Sequence, residues 1–256
     1  MTDSQLPYME LWWDESAPDL IHIQLRGEEK YGLINAKTRE VIIPMEFDWL
    51  CESVEGYITV RKDGKWGIFD IAGLQLVEFK YEEFADYGLN LEYGFIQFKR
   101  EGKWGFVNVR GEEFISPRFD DASLYAREGF SAVQVDGKWG FIDKTGLEVV
   151  PLKYDDVEGF REGLVKVKLN DKYGFVNKQG LEVVPLKYDD VKDFCEGFAQ
   201  VKLNDQYGFV NTEGEEATPL KYDDVKYFYK GFAQALLEGE WTIIDQSGKE
   251  FNSRPD

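Results

Sequence analysis

The residues able to do chemistry are few. A single histidine, His22, lies inside the run IHIQL. An imidazole can act as a base or a metal ligand, but with no second histidine and no partnered nucleophile in view, His22 is expected to be structural or a surface residue. Cys51 and Cys195 fall in no CxxC or Cys/His spacing, so neither zinc nor a disulfide framework is expected, and a cytoplasmic location fits. Recurring acidic pairs offer more: Asp120-Asp121, Asp155-Asp156, Asp189-Asp190 and Asp223-Asp224, each after an aromatic residue. Calcium loops gather more oxygen ligands with glycine at fixed offsets, and a catalytic pair copied along one small chain would imply several active sites. These acids are therefore expected to cap short helical turns and to solvate connectors. No catalytic, cofactor or metal residue is assigned, and GxGxxG, GxxxxGKS/T and HExxH patterns are absent.

The elements that position these residues come from repetition. GLEVVPLKYDDV occurs twice, at 146–157 and 180–191. Aromatic–glycine pairs mark the copies: Tyr31-Gly32, Trp66-Gly67, Trp104-Gly105, Trp139-Gly140, Tyr173-Gly174, Tyr207-Gly208 and the degenerate Trp241-Thr242. Their steps are 35, 38, 35, 34, 34 and 34 residues, the period of units that complete each other's cores by stacking. Within one unit LVKVKL alternates as a half-buried strand, Asn170-Asp171 turns, KYGFVN is a second strand, KQG turns again and LEVV is a third. Asp63-Gly64, Asp136-Gly137 and their equivalents suit type I′ hairpins. Asx at the start and glycine at the end, as in Asn177 to Gly180, suit a type I turn closed by a left-handed glycine. Proline is expected to end the third strand, and glycine beside the ring to leave a notch for a neighbouring backbone or ring.

KWGFID, a turn glycine and VVPLKYDDV together resemble the WG-repeat family. The resemblance covers about residues 20–251, with tyrosine replacing tryptophan at Tyr31, Tyr173 and Tyr207 and Thr242 replacing glycine in the last copy. It implies an all-β repeat scaffold with no shared enzymatic activity. The expected fold is a tandem array of about seven three-stranded meanders, with an open solenoid-like stack preferred over a closed ring. Residues 1–19 are expected to form a cap or diverged half-repeat, 20–251 one β domain and 252–256 a tail.

Hydrophobic residues make up 43% of the chain and aromatic residues 16%, ample for a core. The N-terminus lacks the features of a cleaved signal, and no stretch approaches the roughly 18 apolar residues of a membrane span, so a soluble protein is expected. A net charge of −19 argues against nucleic acid, whose phosphates need clustered cations, and favours a basic protein partner. Residues 1–64 hold 13 acidic and 6 basic side chains, whereas 146–179 hold 6 of each.

Trp66, Trp104, Trp139 and Trp241 occupy the repeat motif and are expected in the core. Trp12, Trp13 and Trp49 stand outside it, beside charge, the usual make-up of an interface anchor. Roofing the exposed end of the first repeat is their other reading. The longer step holds FKYEEFADYGLNLEYGF, where Glu82 and Glu83 replace the acidic pair and extra residues precede Phe95, a place for a protruding loop. Partner-binding candidates are therefore Trp12, Trp13, Trp49, Glu82 and Glu83. The favoured function is a non-catalytic scaffold presenting an acidic surface to a protein. A bacterial immunity protein that occludes a basic toxin or nuclease is the second reading, since acidity would speed that encounter. A carbohydrate-active enzyme is the third and requires carboxylates facing each other across a cleft.

Overall fold

The computed structural model describes residues 8–25, 27, 29–85, 96–123 and 129–251. These form seven antiparallel sheets in chain order, six of four strands and one of three, each with two open edges. The chain divides into two compact units, Met1–Leu124 and Tyr125–Asp256.

A repeat of the second unit shows how the sequence dictates the sheet. Leu164–Leu169 pairs with Lys172–Asn177 in unbroken register. The turn residues Asn170 and Asp171 have φ of 50° and 60°, the two positive values that a type I′ hairpin requires. At the next turn Asn177 Oδ1 accepts the N–H groups of Gln179 and Leu181, each at 3.0 Å. Both turns match their expectation.

The third strand, Glu182–Tyr188, does not end at its proline. Tyr173 stands opposite Tyr188 while Phe175 stands opposite Val184, so the strand bulges, and Pro185 sits in the bulge, where no ladder N–H is needed. The bulge arches over Gly174, where an added Cβ would lie 2.5 Å from the Val184 carbonyl oxygen. Gly67, Gly105 and Gly140 are roofed in the same way by the carbonyls of Val77, Ile115 and Val150. The notch beside each ring is thus filled by its own sheet rather than by a neighbouring copy.

The connectors also differ from expectation. Asp190–Val191 pairs with Val201 and Lys202 as the short first strand of the next sheet, so the unit has a fourth strand where a helical cap was expected. The first acid of each pair ties the junction together. Asp189 accepts from Lys172 Nζ at 2.5 Å and from the Asn204 N–H at 2.8 Å, and these bonds hold its carboxyl below the usual range. Asp155 repeats the pattern with Lys138 and Asn170.

Within each unit, successive sheets pack face to face. In the second unit Phe175, Val184 and Tyr188 of one sheet are buried with Val191, Phe194 and Val201 of the next. In the first, Leu33, Ile43 and Phe47 pack on Leu50, Ile58 and Val60, and Ile68 and Tyr81 pack on Phe84 and Phe98. Burying one such side chain is worth about 1.5–3 kcal/mol, so a single sheet completes its core only through a neighbour.

The motif tryptophans correct another expectation: Trp66 is buried, Trp104 and Trp139 are half-buried, and Trp241 is exposed. The core position lies two residues further on, at Ile68, Phe106, Phe141, Phe175 and Phe209, all buried. The motif ring sits near the hairpin end, where Lys99, Lys168 and Lys202 lie over Trp104, Tyr173 and Tyr207, each 5.5 Å from the ring centroid. Tyr8–Trp13 is the first strand of the first sheet, pairing with Leu20–Leu25. The insertion before Phe95 falls within 86–95, outside the described residues, as do 1–7 and 252–256.

Candidate protein-binding surface

The first sheet departs most from the repeat. Trp12 and Trp13 are neighbours in a strand and so face opposite sides. Trp12 stands opposite His22 in the register and stacks on it, with ring centroids 5.3 Å apart. Its edge meets Tyr31 at 6.0 Å, and Tyr31 meets Trp49 at 5.5 Å. His22, Trp12, Tyr31 and Trp49 thus form one run of rings that ends in Trp49, 48% exposed.

Trp49 holds the place of a connector acid. It stands opposite Arg61, with Leu50 opposite Val60, as Asp156 stands opposite Lys168 and Val157 opposite Val167. Asp48 before it keeps the structural role of Asp189, accepting from Lys30 Nζ at 2.6 Å and from the Gly64 N–H at 3.3 Å. The lysine bond, reinforced by that amide, holds the Asp48 carboxyl below the usual range. Across the strand from Tyr31 is Gln24, whereas the residues across from Trp104, Tyr173 and Tyr207 are Lys99, Lys168 and Lys202. Trp139 likewise faces a glutamine, Gln134.

Behind the rings lies a buried polar network. Asp14 and His22 are fully buried, with Nε2 of His22 3.2 Å from Asp14 Oδ2. The same carboxylate accepts from the Ser53 N–H at 2.7 Å, the Ser53 hydroxyl at 3.0 Å and the Ser16 hydroxyl at 2.7 Å. Burial pushes the Asp14 carboxyl up, but the bonds from Ser16, Ser53 and His22 outweigh it and hold it below the usual range. The serine hydroxyls bond Asp14, and the imidazole has its described bond to the same aspartate, so the set links the first sheet to the segment opening the second. His22 lies inside this network and not at the surface.

The other candidates lie elsewhere. Glu82 accepts the N–H groups of Glu101 and Gly102 at 3.2 and 3.1 Å, with Lys65 Nζ 3.6 Å away, which is the hairpin-clamping role of Asp189. Glu83 stands opposite Lys99 in the third sheet. Their described bonds do not reach the ring run. Trp13 faces away from it, on the side of Ile21. Sequence reasoning placed Tyr31 only in the repeat motif, and the glutamine across from it is shared with Trp139, so its place in the ring run is a product of the fold. Cys51 and Cys195 are partly buried and neither is in a disulfide.

The WG containing repeat family matches residues 31–66, 104–139, 139–173, 173–207 and 207–241. The stretch it passes over, between Trp66 and Trp104, is the longer step. No curated protein matches in sequence. Among solved structures, one titled as a eukaryotic initiation factor is 8% identical, with 97% of this chain and 87% of that one covered at a TM-score of 0.40. Kluyveromyces lactis Hsv2p is 10% identical, covering 94% and 93% at 0.36. The AfRom2 CNH domain is 11% identical, covering 81% and 84% at 0.34.

Proposed function

We infer the function from one premise: the chain belongs to the WG containing repeat family and is a β-repeat scaffold. On that scaffold the reading we propose is a non-catalytic binding protein that takes a basic protein partner at the ring run joining its first and second sheets. The observation that carries it is the ring run ending in exposed Trp49, with Gln24 across from Tyr31 where the repeats of Trp104, Tyr173 and Tyr207 place a lysine. Inside the chain, lysines lie over rings of this same motif position, so the chain's own packing indicates what such a ring accepts. An arginine or lysine from a partner gains about 0.5–2 kcal/mol over an aromatic face. The net charge of −19 would steer that partner in.

Affinity capture from native-host extract, at low and at physiological salt with mass spectrometry, tests the reading. A basic protein retained stoichiometrically at physiological salt is the expected result. Retention of no protein, or only of acidic ones, would overturn it.

A further inference from the structure

Inside the second unit the forward face of every sheet before the last is covered. Phe141, Phe175 and Phe209 lie against Phe160, Phe194 and Phe228 from the segment opening the next sheet, with ring centroids 4.9, 4.7 and 4.6 Å apart. In the last sheet Ile243 holds that position, opposite Gln234 as Phe209 is opposite Gln200. It is 47% exposed against 1% for Phe209. The register places Leu236, Trp241 and Phe251 on the same face, and Phe232 meets Phe251 at 5.9 Å. The reverse face of this sheet is closed, with Ala233, Ala235 and Ile244 buried among Phe209 and Tyr222. A repeat-to-repeat interface is therefore present with no repeat on it.

The first sheet has the converse. Its forward face packs on the second sheet, but of Leu11, Trp13, Ile21, Ile23, Ile34 and Val41, which the register assigns to the reverse face, Ile23 alone is buried. Leu11, Trp13 and Val41 are exposed and Ile21 and Ile34 half-buried, while the equivalent Val165 and Val176 are fully buried.

Two matched substitutions tie these ends together. At an inner interface Arg161 reaches Asp193 at 3.0 Å. Tyr229, paired with Phe232 as Arg161 is with Leu164, holds the cation's place in the last sheet and is 70% exposed. Trp13, two residues beyond the Leu11 and Ile23 pair as Asp193 is beyond Val191 and Val201, holds the acid's place in the first and is 62% exposed. Glu216 and Glu250, which accept Lys187 and Lys221 of the preceding repeat, have Val41 as their counterpart in the first sheet. The ion pair belongs to one inner interface, Cys195 and Tyr227 holding its two places at the next, and each end of the chain carries an exposed aromatic at its place.

We propose that the forward face of the last sheet docks on the open face of the first sheet of a second copy of this chain, continuing the repeat interface from one molecule into the next. Such a contact is heterologous, using a different patch on each copy. Its facing groups are apolar while each copy carries −19, so salt screens the repulsion and strengthens the association, the reverse of the basic-partner contact.

Sedimentation velocity on the full chain, over a range of concentration and salt, tests this with Ile243→Glu and Trp13→Glu, each checked against wild type by circular dichroism. Wild type should associate with rising concentration, more so at high salt. Each variant alone should associate at least ten-fold more weakly, and an equimolar mixture should restore a dimer and stop there, because each variant keeps the face the other lacks. Wild type monomeric throughout, a mixture that stays monomeric, or Trp13→Glu associating like wild type would overturn the proposal.

Discussion

Lys172 Nζ lies 2.5 Å from Asp189 Oδ1, and the other oxygen of that carboxylate accepts the backbone N–H of Asn204. One acid thereby joins the hairpin of its own repeat to the hairpin of the next. The lysine is 43% exposed and the aspartate 37%, and exposed pairs contribute about 0–1 kcal/mol. Lys172→Ala should therefore cost little, under about 0.5 kcal/mol, while Asp189→Ala, which removes the acceptor of both the lysine and the Asn204 N–H, should cost more. Denaturant titrations of the two variants check the order.

Gly140 and Gly174 each have a carbonyl oxygen 2.5 Å from where a Cβ would sit, whereas at Gly208 the equivalent oxygen, of Thr218, is at 3.2 Å and the nearest, of Pro219, at 3.0 Å. Alanine at Gly174 should destabilise by about 1–3 kcal/mol, and alanine at Gly208 by less. Thermal melts of Gly174→Ala and Gly208→Ala decide this, and equal shifts would show that the roof over the notch yields freely.

The Asp14 network predicts an acid-sensitive first sheet. Its carboxyl is held below the usual range, so its stabilisation is complete above the unfolded carboxylate value of about 4 and is lost as pH falls through the lower folded value. Wild type should lose stability as pH falls below about 4, with a steeper slope than Asp14→Asn. At neutral pH Asp14→Ala should cost about 3 kcal/mol or more, because Ser53 and His22 keep buried donors without an acceptor.

Phe194 packs edge-on against Phe175 at 4.7 Å and is buried, so Phe194→Ala should cost about 3–5 kcal/mol. The same substitution at Tyr229, exposed in the last sheet, should leave stability within about 0.5 kcal/mol. Calorimetry on both variants separates the filled interface from the open one.

What could be read ahead of the structure follows from range. Turns such as Asn170-Asp171 are set by adjacent residues, and both positive φ values were legible in their types. The strand at Asp190–Val191 is two residues long, too short to show any alternation, so an acidic pair read as a cap. The bulge at Pro185 is a property of register, Tyr173 with Tyr188 but Phe175 with Val184, and a proline alone reads as a strand end. Ser53 stands 39 residues from the aspartate it bonds, and only folding brings the two together. Of the candidate surface, Trp12 and Trp49 were visible as tryptophans beyond the repeat motif, while Tyr31 was hidden because its own motif matches the others.

The central claim is that the ring run from Trp12 to Trp49, which joins the first sheet to the second, rather than acidity at large, holds the partner. Capture from host extract at physiological salt with wild type, Trp49→Ser and a control, Leu181→Ser at an exposed inner turn, tests it directly, since neither substitution changes the net charge. The account predicts a basic partner retained by wild type and by the control and lost with Trp49→Ser; retention by all three would contradict it.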